Sequence, residues 1–270
     1  MKRVVLALTL GATGALVALA PASDPFKPGK GQQVTLGRQA AQEIRQKEKV
    51  LPDSDPRVQT VRRVGRKLLA GMNLSKEPWQ FSFDVVESKE INAFALPGGP
   101  VFFYTGILDR MKTEDEIAGV MGHEMTHVLR EHWAYAVRDQ QKKQGLLALG
   151  AVFGAPSGIL QGASLLSSMT DLSFSRNHES QADEGGFNLM SKTGYNPEGM
   201  VDVFRMLSSL GGRNGPEFLS THPDPGNRVK RLQSFVDKSG KTYPAERPLP
   251  FQTPAMRGEF DKKTTDKKSG

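Results

Sequence analysis

The stretch His123-Glu124-Met125-Thr126-His127 decides the fold, because it places the pattern H-E-x-x-H in a segment with the marks of a helix. Just upstream, Thr113 and Glu116 have the spacing of a capping box, which is typical of a helix N-terminus. Each helical residue advances by roughly 100°, so His123, Glu124 and His127 fall within about a 100° arc. Two imidazoles one turn apart on one face predict a shared metal ion.

The residue types in this pattern suit a single Zn²⁺ with an open coordination position. Imidazole nitrogens bind zinc at about 2.0–2.1 Å, and a carboxylate beside the open position can take a proton from water. We therefore predict His123 and His127 as ligands and Glu124 as the general base of peptide-bond hydrolysis. The alternative is a surface helix with solvated histidines. Its apolar residues argue against this, since a buried face should not carry such groups without a partner.

A catalytic zinc needs a third protein ligand, and two nearby residues are poor candidates. His132 lies about 140° around the helix from His127 and is predicted to be a surface residue. Glu131 is on the right face but lies about 12 Å along the axis from His123, too far for one ion to span.

The better candidate lies in the stretch from Ser175 to Asp183, which is typical of the start of a second helix. Glu179 and Asp183 are one turn apart on one face. Glu179 would complete a two-histidine, one-glutamate site, and a second carboxylate can accept the N–H of a ligand histidine and so fix its tautomer. His178 is a rival ligand, and an exposed acidic helix face is the remaining alternative.

Five separated blocks together resemble the zinc endopeptidases of metallopeptidase family forty-eight, which includes the HtpX, Oma and Ste-type proteases. The resemblance covers most of residues 35–235. The blocks are Gly37-Arg38, Ile91–Gly99, His123–His127, Ser175-Arg176 with Glu179 and Ala182-Asp183, and Ser220–Pro223 with Arg228. By matching position, the resemblance implies His123, His127 and Glu179 as ligands, Glu124 as the base and Asp183 as the carboxylate that holds a ligand histidine.

The predicted fold is α+β and mostly helical, a zincin-like metalloprotease with a small sheet beside the active-site helix. Helices are expected at about 35–48, from Pro56 with Asp55 as its cap, from Asn196-Pro197 and from Asp224-Pro225. The alternation within Trp79–Val86 predicts a strand.

The segments Ile91–Ala95 and Val101–Thr105 flank a Pro-Gly-Gly-Pro sequence, which predicts a hairpin or a turned edge strand. A protease must hold its peptide extended, and an exposed sheet edge does this through main-chain hydrogen bonds. We therefore predict backbone contacts to substrate from Ala93 and Ala95, and a side-chain donor in Asn92. An ordinary core hairpin is the alternative.

Two further residues have candidate roles near the reacting bond. Hydrolysis builds negative charge on the carbonyl oxygen, and a donor aimed there contributes about 3–4 kcal/mol. His222 could be that donor, could occupy the open zinc position in a resting state, or could be a structural residue in a turn. Arg228 could orient this loop or bind a substrate carboxylate.

The chain is predicted to be exported to the periplasm or cell envelope. Residues 1–22 have the pattern of a secretory signal, with two basic residues before an apolar run that ends at Ala20. An uncleaved N-terminal anchor is the alternative. Residues 23–240 are predicted to form one zinc metalloprotease domain, and residues 241–270 a disordered basic tail. The absence of cysteine excludes disulfides and lipid attachment through a cysteine.

Gly145–Met169 is apolar and rich in glycine, alanine and serine, but Pro156 interrupts it, so it is a poor membrane span. We expect packed helices or a loop over the active site, with a lid or peripheral membrane contact as the alternative. The net charge of +7 comes without an interleaved aromatic and basic stripe, so nucleic-acid binding is not predicted.

Together these patterns predict a zinc-dependent endopeptidase that acts on unfolded or misassembled proteins in envelope quality control. A chaperone-like binding module with a structural zinc is the alternative from another class, although a structural site needs no base such as Glu124. A zinc hydrolase of non-peptide amides would share the metal chemistry but would not need an extended edge strand.

Overall fold

The structure is a computed structural model that describes residues 24–144, 173–210, 216–223 and 227–251. The predicted signal at 1–22, the apolar segment Gly145–Met169 and the tail beyond residue 251 lie outside the described residues. Within the described ranges the fold is α+β, with helices around one three-stranded sheet, as expected. No helix in these ranges has both the length and the apolar character needed to cross a bilayer.

In the chain order of the described elements, the three strands come between the second and third helices. In chain order they are α1 (Lys30–Lys47), α2 (Pro56–Ala70), β1 (Ser82–Val86), β2 (Ala93–Ala95), β3 (Pro100–Tyr104), α3 (Thr105–Leu108), α4 (Glu114–Leu129), α5 (His132–Gln144), α6 (Arg176–Thr193), α7 (Glu198–Ser209), α8 (Glu217–Thr221) and α9 (Arg228–Ser239).

Helix α4 carries the H-E-x-x-H pattern and is the central element of the fold. The predicted capping box is present: Thr113 Oγ1 accepts the N–H of Glu116 at 3.2 Å, and Glu116 Oε2 accepts the N–H of Thr113 at 3.2 Å. Three acidic residues in the first turn complement the helix dipole. The helix is buried from Asp115 to Val128 and contacts α2, α5, α6, α7, β2 and β3.

The sheet has the order β1-β3-β2, with β1 parallel and β2 antiparallel to β3. The predicted hairpin is therefore confirmed as β2 and β3. Its turn contains Gly98 at φ +85° and Gly99 at φ +130°, backbone conformations that side chains with a Cβ rarely adopt. Strand β2 pairs on one side only within the described sheet, so its other edge faces away from β3.

Helix α1 covers the hairpin turn. It begins at Lys30 rather than at the expected residue 35, because the Gln32 side chain accepts the N–H of Gly29 at 2.9 Å and extends the helix backwards. A Cβ at Gly37 would lie 1.7 Å from the carbonyl oxygen of Pro97, so this glycine lets the helix approach the turn. A small apolar cluster joins α1 to the sheet and includes Ile44, Leu96 and Phe102.

Most other predicted helix starts agree with the structure. Asp55 caps α2 by accepting the N–H of Arg57 at 2.9 Å, and α7 begins at Glu198 beside the expected Asn196-Pro197. The last helix begins at Arg228, later than the expected Asp224-Pro225. The first strand begins at Ser82, three residues after the expected Trp79.

The prediction of a disordered tail from residue 241 is wrong for residues 241–251. Leu249 is 1% exposed and joins the main core, and its N–H donates to the carbonyl of Lys112 at 3.0 Å. The N–H of Glu114 donates to the carbonyl of Arg247 at 2.8 Å, and the N–H of Arg247 donates to Asp115 Oδ2 at 2.8 Å. The segment therefore pairs with backbone and side-chain groups at the start of α4.

Candidate metal centre

Helices α4 and α6, with the residue after α8, bring four donor side chains to one buried point. They are His123, His127, Glu179 and His222, and one ligand atom from each lies within 4.8 Å of the others. The three ligands predicted from the sequence are therefore together. His222 joins them through Nδ1, and all four side chains are buried.

The separations between these donor atoms fit a tetrahedral ion. Nε2 of His123 lies 3.0 Å from Nε2 of His127 and 3.2 Å from Nδ1 of His222. The Glu179 carboxylate lies 3.1 Å from His222 Nδ1, 3.4 Å from His123 Nε2 and 3.5 Å from His127 Nε2. Ligands at 2.0–2.1 Å from a tetrahedral zinc are about 3.3 Å apart, so the donor set fits this metal.

Two of the four donors, His127 and Glu179, have the protonation states that a metal ligand needs. Burial, with the charge of His123, holds the pKa of His127 well below its ordinary value, so this imidazole is neutral and offers a lone pair. Burial opposes ionisation of Glu179, but the nearby His222 and His123 hold the pKa of this carboxyl below its usual range. Neutral imidazoles and an ionised carboxylate are the forms that bind a metal.

Glu124 lies at the edge of the cluster and is tied to the sheet. Its Oε2 accepts the N–H of Ala95 at 2.9 Å, and its Oε1 lies 3.4 Å from His222 Nε2. Burial raises the pKa of Glu124, although the charges of His222 and His123 oppose the rise. A carboxylate with a raised pKa is a stronger base, which suits proton transfer near neutral pH.

Asp183 binds His123 on the side of the ring that faces away from the donor cluster. Its Oδ1 lies 3.0 Å from Nδ1 of His123, so the imidazole donates from Nδ1 and points Nε2 at the cluster. Arg228 donates to Asp183 from Nη2 at 2.6 Å, and Arg231 also donates to this carboxylate. Burial opposes ionisation of Asp183, but Arg228 and His123 hold its pKa below the usual range.

The prediction that Arg228 binds substrate is wrong. The side chain is 1% exposed, lies with its guanidinium 3.8 Å from the ring centroid of Phe204, and places Nη1 3.1 Å from Glu179 Oε2. A guanidinium enclosed between Glu179 and Asp183 neutralises buried carboxylates and cannot reach a substrate.

The prediction that His132 is a surface residue is also wrong. The angle was counted as if α4 continued, but α4 ends at Leu129, and Glu131 has a φ of 54° that turns the chain. His132 begins α5, is 1% exposed and lies with Nδ1 3.0 Å from Nδ1 of His127. Burial lowers the pKa of His132 to about 4, so it is neutral near pH 7. The buried position of His132 could have been predicted only if α4 had been predicted to end before this residue.

The two rejected or rival ligands lie outside the donor cluster. Glu131 Oε2 accepts from Lys27 Nζ at 2.8 Å and from Gln33 Nε2 at 2.8 Å. His178 is half-buried and stacks on His132, with ring centroids 4.5 Å apart. The geometry therefore favours Glu179 over His178 as the donor from α6.

The outer edge of β2 lies beside Glu124. The N–H of Tyr104 donates to the carbonyl of Asn92 at 3.0 Å, and the N–H of Leu96 donates to the carbonyl of Pro100 at 2.7 Å. Alternation along the strand then points the main-chain groups of Ala93 and Ala95 away from β3. The Asn92 side chain is 8% exposed, and its Oδ1 has no hydrogen-bond partner in the described part of the chain.

An α+β fold with H-E-x-x-H on a central buried helix and a carboxylate from a second helix defines the zincin-like class of metallopeptidases. The sequence model for peptidase family M48 matches residues 56–236. The chain belongs to this family.

Curated relatives in several organisms are named as proteases. The beta-barrel assembly-enhancing protease of Escherichia coli K12 is 29% identical over 232 residues, which cover 79% of this chain and 47% of the relative. Metalloprotease LoiP of the same organism is 26% identical, and the match covers 86% of this chain and 91% of the relative. The mitochondrial metalloendopeptidase OMA1 of Schizosaccharomyces pombe is 30% identical, with 71% and 57% covered. The chain spans about half the length of the beta-barrel assembly-enhancing protease.

Proposed function

We propose that this chain is a zinc-dependent endopeptidase that hydrolyses peptide bonds in unfolded or misassembled proteins of the cell envelope. The observation that carries the proposal is the buried donor cluster with the Glu124 carboxylate beside it, since Oε1 of this group has no hydrogen-bond partner among the described residues. His123, His127 and Glu179 bind one Zn²⁺, and Glu124 is the general base. When bound, zinc polarises the substrate carbonyl and lowers the pKa of a coordinated water.

Glu124 moves the proton in this mechanism. Its carboxylate takes a proton from the attacking water and passes it to the leaving amine. The hydrogen bond from Ala95 fixes Oε2, while Oε1 has no hydrogen-bond partner among the described residues. Oε1 is therefore the oxygen that receives the proton. Burial raises the pKa of the group and strengthens it as a base.

The outer edge of β2 holds the substrate. An extended peptide adds to a sheet edge through main-chain hydrogen bonds. The outward main-chain groups of Ala93 and the carbonyl of Ala95 supply them, while the N–H of Ala95 stays with Glu124. Because the N–H of Ala95 also contacts Glu124, a peptide on this edge lies within reach of the base. Asn92 adds a side-chain contact next to the strand.

His222 acts at the fourth corner of the site. Its Nδ1 lies near three ligand atoms, so in the described arrangement it fills the position that a substrate and water require. Withdrawal of His222 opens this position. In the described arrangement its Nε2 lies 3.4 Å from Glu124 Oε1. After withdrawal, an N–H of this ring would donate to the negative charge on the carbonyl oxygen.

The relatives and the N-terminal sequence support the proposed substrate class and location. One relative is named for assisting β-barrel assembly, and several are named as proteases or endopeptidases. The secretory pattern of residues 1–22 would direct the chain to the same compartment as unassembled envelope proteins.

A second candidate function has one observation in its favour. Four protein donors with His222 included resemble a closed structural site, as in a binding module that keeps zinc for stability. Glu124 argues for the protease, because a structural site needs no general base beside the metal.

The discriminating experiment compares wild type with Glu124→Gln, each with zinc quantified, in cleavage of an unfolded protein. The protease mechanism predicts equal zinc and a loss of at least about a hundredfold in turnover. Equal turnover in both proteins would refute the role of Glu124. Zinc in both with turnover in neither, even after His222→Ala, would favour the binding module.

A further inference from the structure

The neighbours of His127 suggest a function for two residues outside the donor cluster. We propose that His132 and Gln181 are positioning residues that fix the tautomer of His127, so that its Nε2 carries the lone pair for the metal. The inference rests on the proposed zinc site, but it concerns a proton on the opposite side of the ring.

The contacts form one chain of hydrogen bonds that starts on α6. Oε1 of Gln181 lies 3.1 Å from Nε2 of His132, and Nδ1 of His132 lies 3.0 Å from Nδ1 of His127. Nε2 of His127 then lies 3.0 Å from Nε2 of His123 within the donor cluster. The chain therefore runs from an amide oxygen, through two buried rings, to a ligand atom.

The direction of every proton follows from the first acceptor. An amide oxygen only accepts, so His132 donates from Nε2. A neutral imidazole has one N–H, which leaves a lone pair on Nδ1 of His132. His127 must therefore donate from Nδ1, and its own lone pair lies on Nε2. If Gln181 were to donate instead, each proton would reverse, and His127 would present an N–H to the metal.

The two histidines of H-E-x-x-H are thus held by different chemistry. Asp183 holds His123 through a charged acceptor, at 3.0 Å from Nδ1. His127 has a neutral acceptor, which polarises its ring less than a carboxylate does. A carboxylate at position 181 should therefore hold the tautomer at least as firmly as glutamine.

The break between α4 and α5 brings His132 into this position. Glu131 turns the chain at φ 54°, and its carboxylate is held by Lys27 and Gln33 from the N-terminal segment and α1. This anchor places the first residue of α5 over His127 rather than about 140° around the helix axis from it. Lys27 and Gln33 therefore contribute to the position of His132, and through it to that of His127.

The test uses the full chain with Gln181→Leu and Gln181→Glu, and His178→Phe as the matched control. Gln181 is partly exposed, so both replacements fit without burying a void. His178 stacks on the same His132 ring, and phenylalanine keeps the stacking. The protonated nitrogen of His127 is read from 15N–1H NMR spectra of metal-free protein, and the Kd for Zn²⁺ from competition with a chelator.

We expect Gln181→Leu to mix the His127 tautomers and to raise the Kd for Zn²⁺ by about tenfold, whereas Gln181→Glu and His178→Phe stay near wild type. The proposal is overturned if Gln181→Leu keeps the Nδ1-protonated tautomer and the wild-type Kd, or if His178→Phe loses as much affinity. A wild type that binds no zinc but shows the predicted tautomers would instead reject only the proposed function.

Discussion

Replacing Asp183 with asparagine tests how the buried charges behind the metal cluster act. Oδ1 of Asp183 accepts from His123 and Arg228, and Oδ2 accepts from Arg228 Nε at 3.1 Å and from Arg231. Asparagine has one oxygen and one NH₂ group. In either orientation, the NH₂ group therefore faces another donor, with which it cannot form a hydrogen bond.

The expected loss of unfolding free energy depends on whether each arginine keeps another carboxylate partner. Removing one member of a buried ion pair costs about 3–5 kcal/mol of unfolding free energy. Arg228 keeps Glu179, and Arg231 is partly exposed, so Asp183→Asn should cost about 3 kcal/mol. The loosened His123 should also raise the Kd for Zn²⁺ by about 10–100-fold.

Asp84→Asn is the matched control. Asp84 is a largely buried aspartate that also binds two arginines, Arg45 at 2.6 Å and Arg62 at 3.1 Å, but it contacts no histidine. Urea unfolding of metal-free protein measures stability, and chelator competition measures zinc affinity. We expect Asp84→Asn to lose less stability and no zinc affinity. Wild-type affinity in Asp183→Asn, or an equal affinity loss in both variants, would refute the reasoning.

Three further predictions concern stability measured by urea unfolding. Burial raises the pKa of Glu116 from 4.5 to about 7, so protonation of this carboxyl stabilises the folded state below about pH 4.5, and this stability is lost as the pH rises to about 7. Glu116→Gln should remove this pH dependence of the unfolding free energy, and an unchanged dependence would contradict the prediction. Leu249→Ala should cost about 2–5 kcal/mol, whereas a detached tail would lose nothing. Gly119→Ala should cost about 1–3 kcal/mol, because its Cβ would lie 2.7 Å from Met200 Cα, while Gly31→Ala, with open space, should stabilise slightly; equal effects would refute this.

Features encoded by neighbouring residues were predictable from the sequence. The capping box of α4, the Asp55 cap of α2 and the glycine turn between β2 and β3 each depend on residues within a few positions. The α+β class followed because these local signals surround one apolar helix. The extent of α1 was underestimated, since a single side-chain cap at Gln32 extends it.

Features that depend on distant contacts were predicted less well. The position of His132 depends on one left-handed residue, Glu131, whose conformation is supported by groups about 100 positions away. Arg228 was predicted to orient the His222 loop or to bind a substrate carboxylate, but two buried carboxylates of the chain enclose it. Residues 241–251 are rich in proline and charged residues, yet Leu249 and Phe251 pack on the core and the backbone pairs with the start of α4.

The most direct test of the account is the metal content of the purified full chain, compared with Glu179→Ala and His178→Ala. We predict one zinc per chain for wild type and His178→Ala, and a strong loss of zinc for Glu179→Ala, because Glu179 reaches both motif histidines from α6. Stoichiometric zinc in Glu179→Ala, or its absence from wild type, would contradict a single ion shared by α4 and α6.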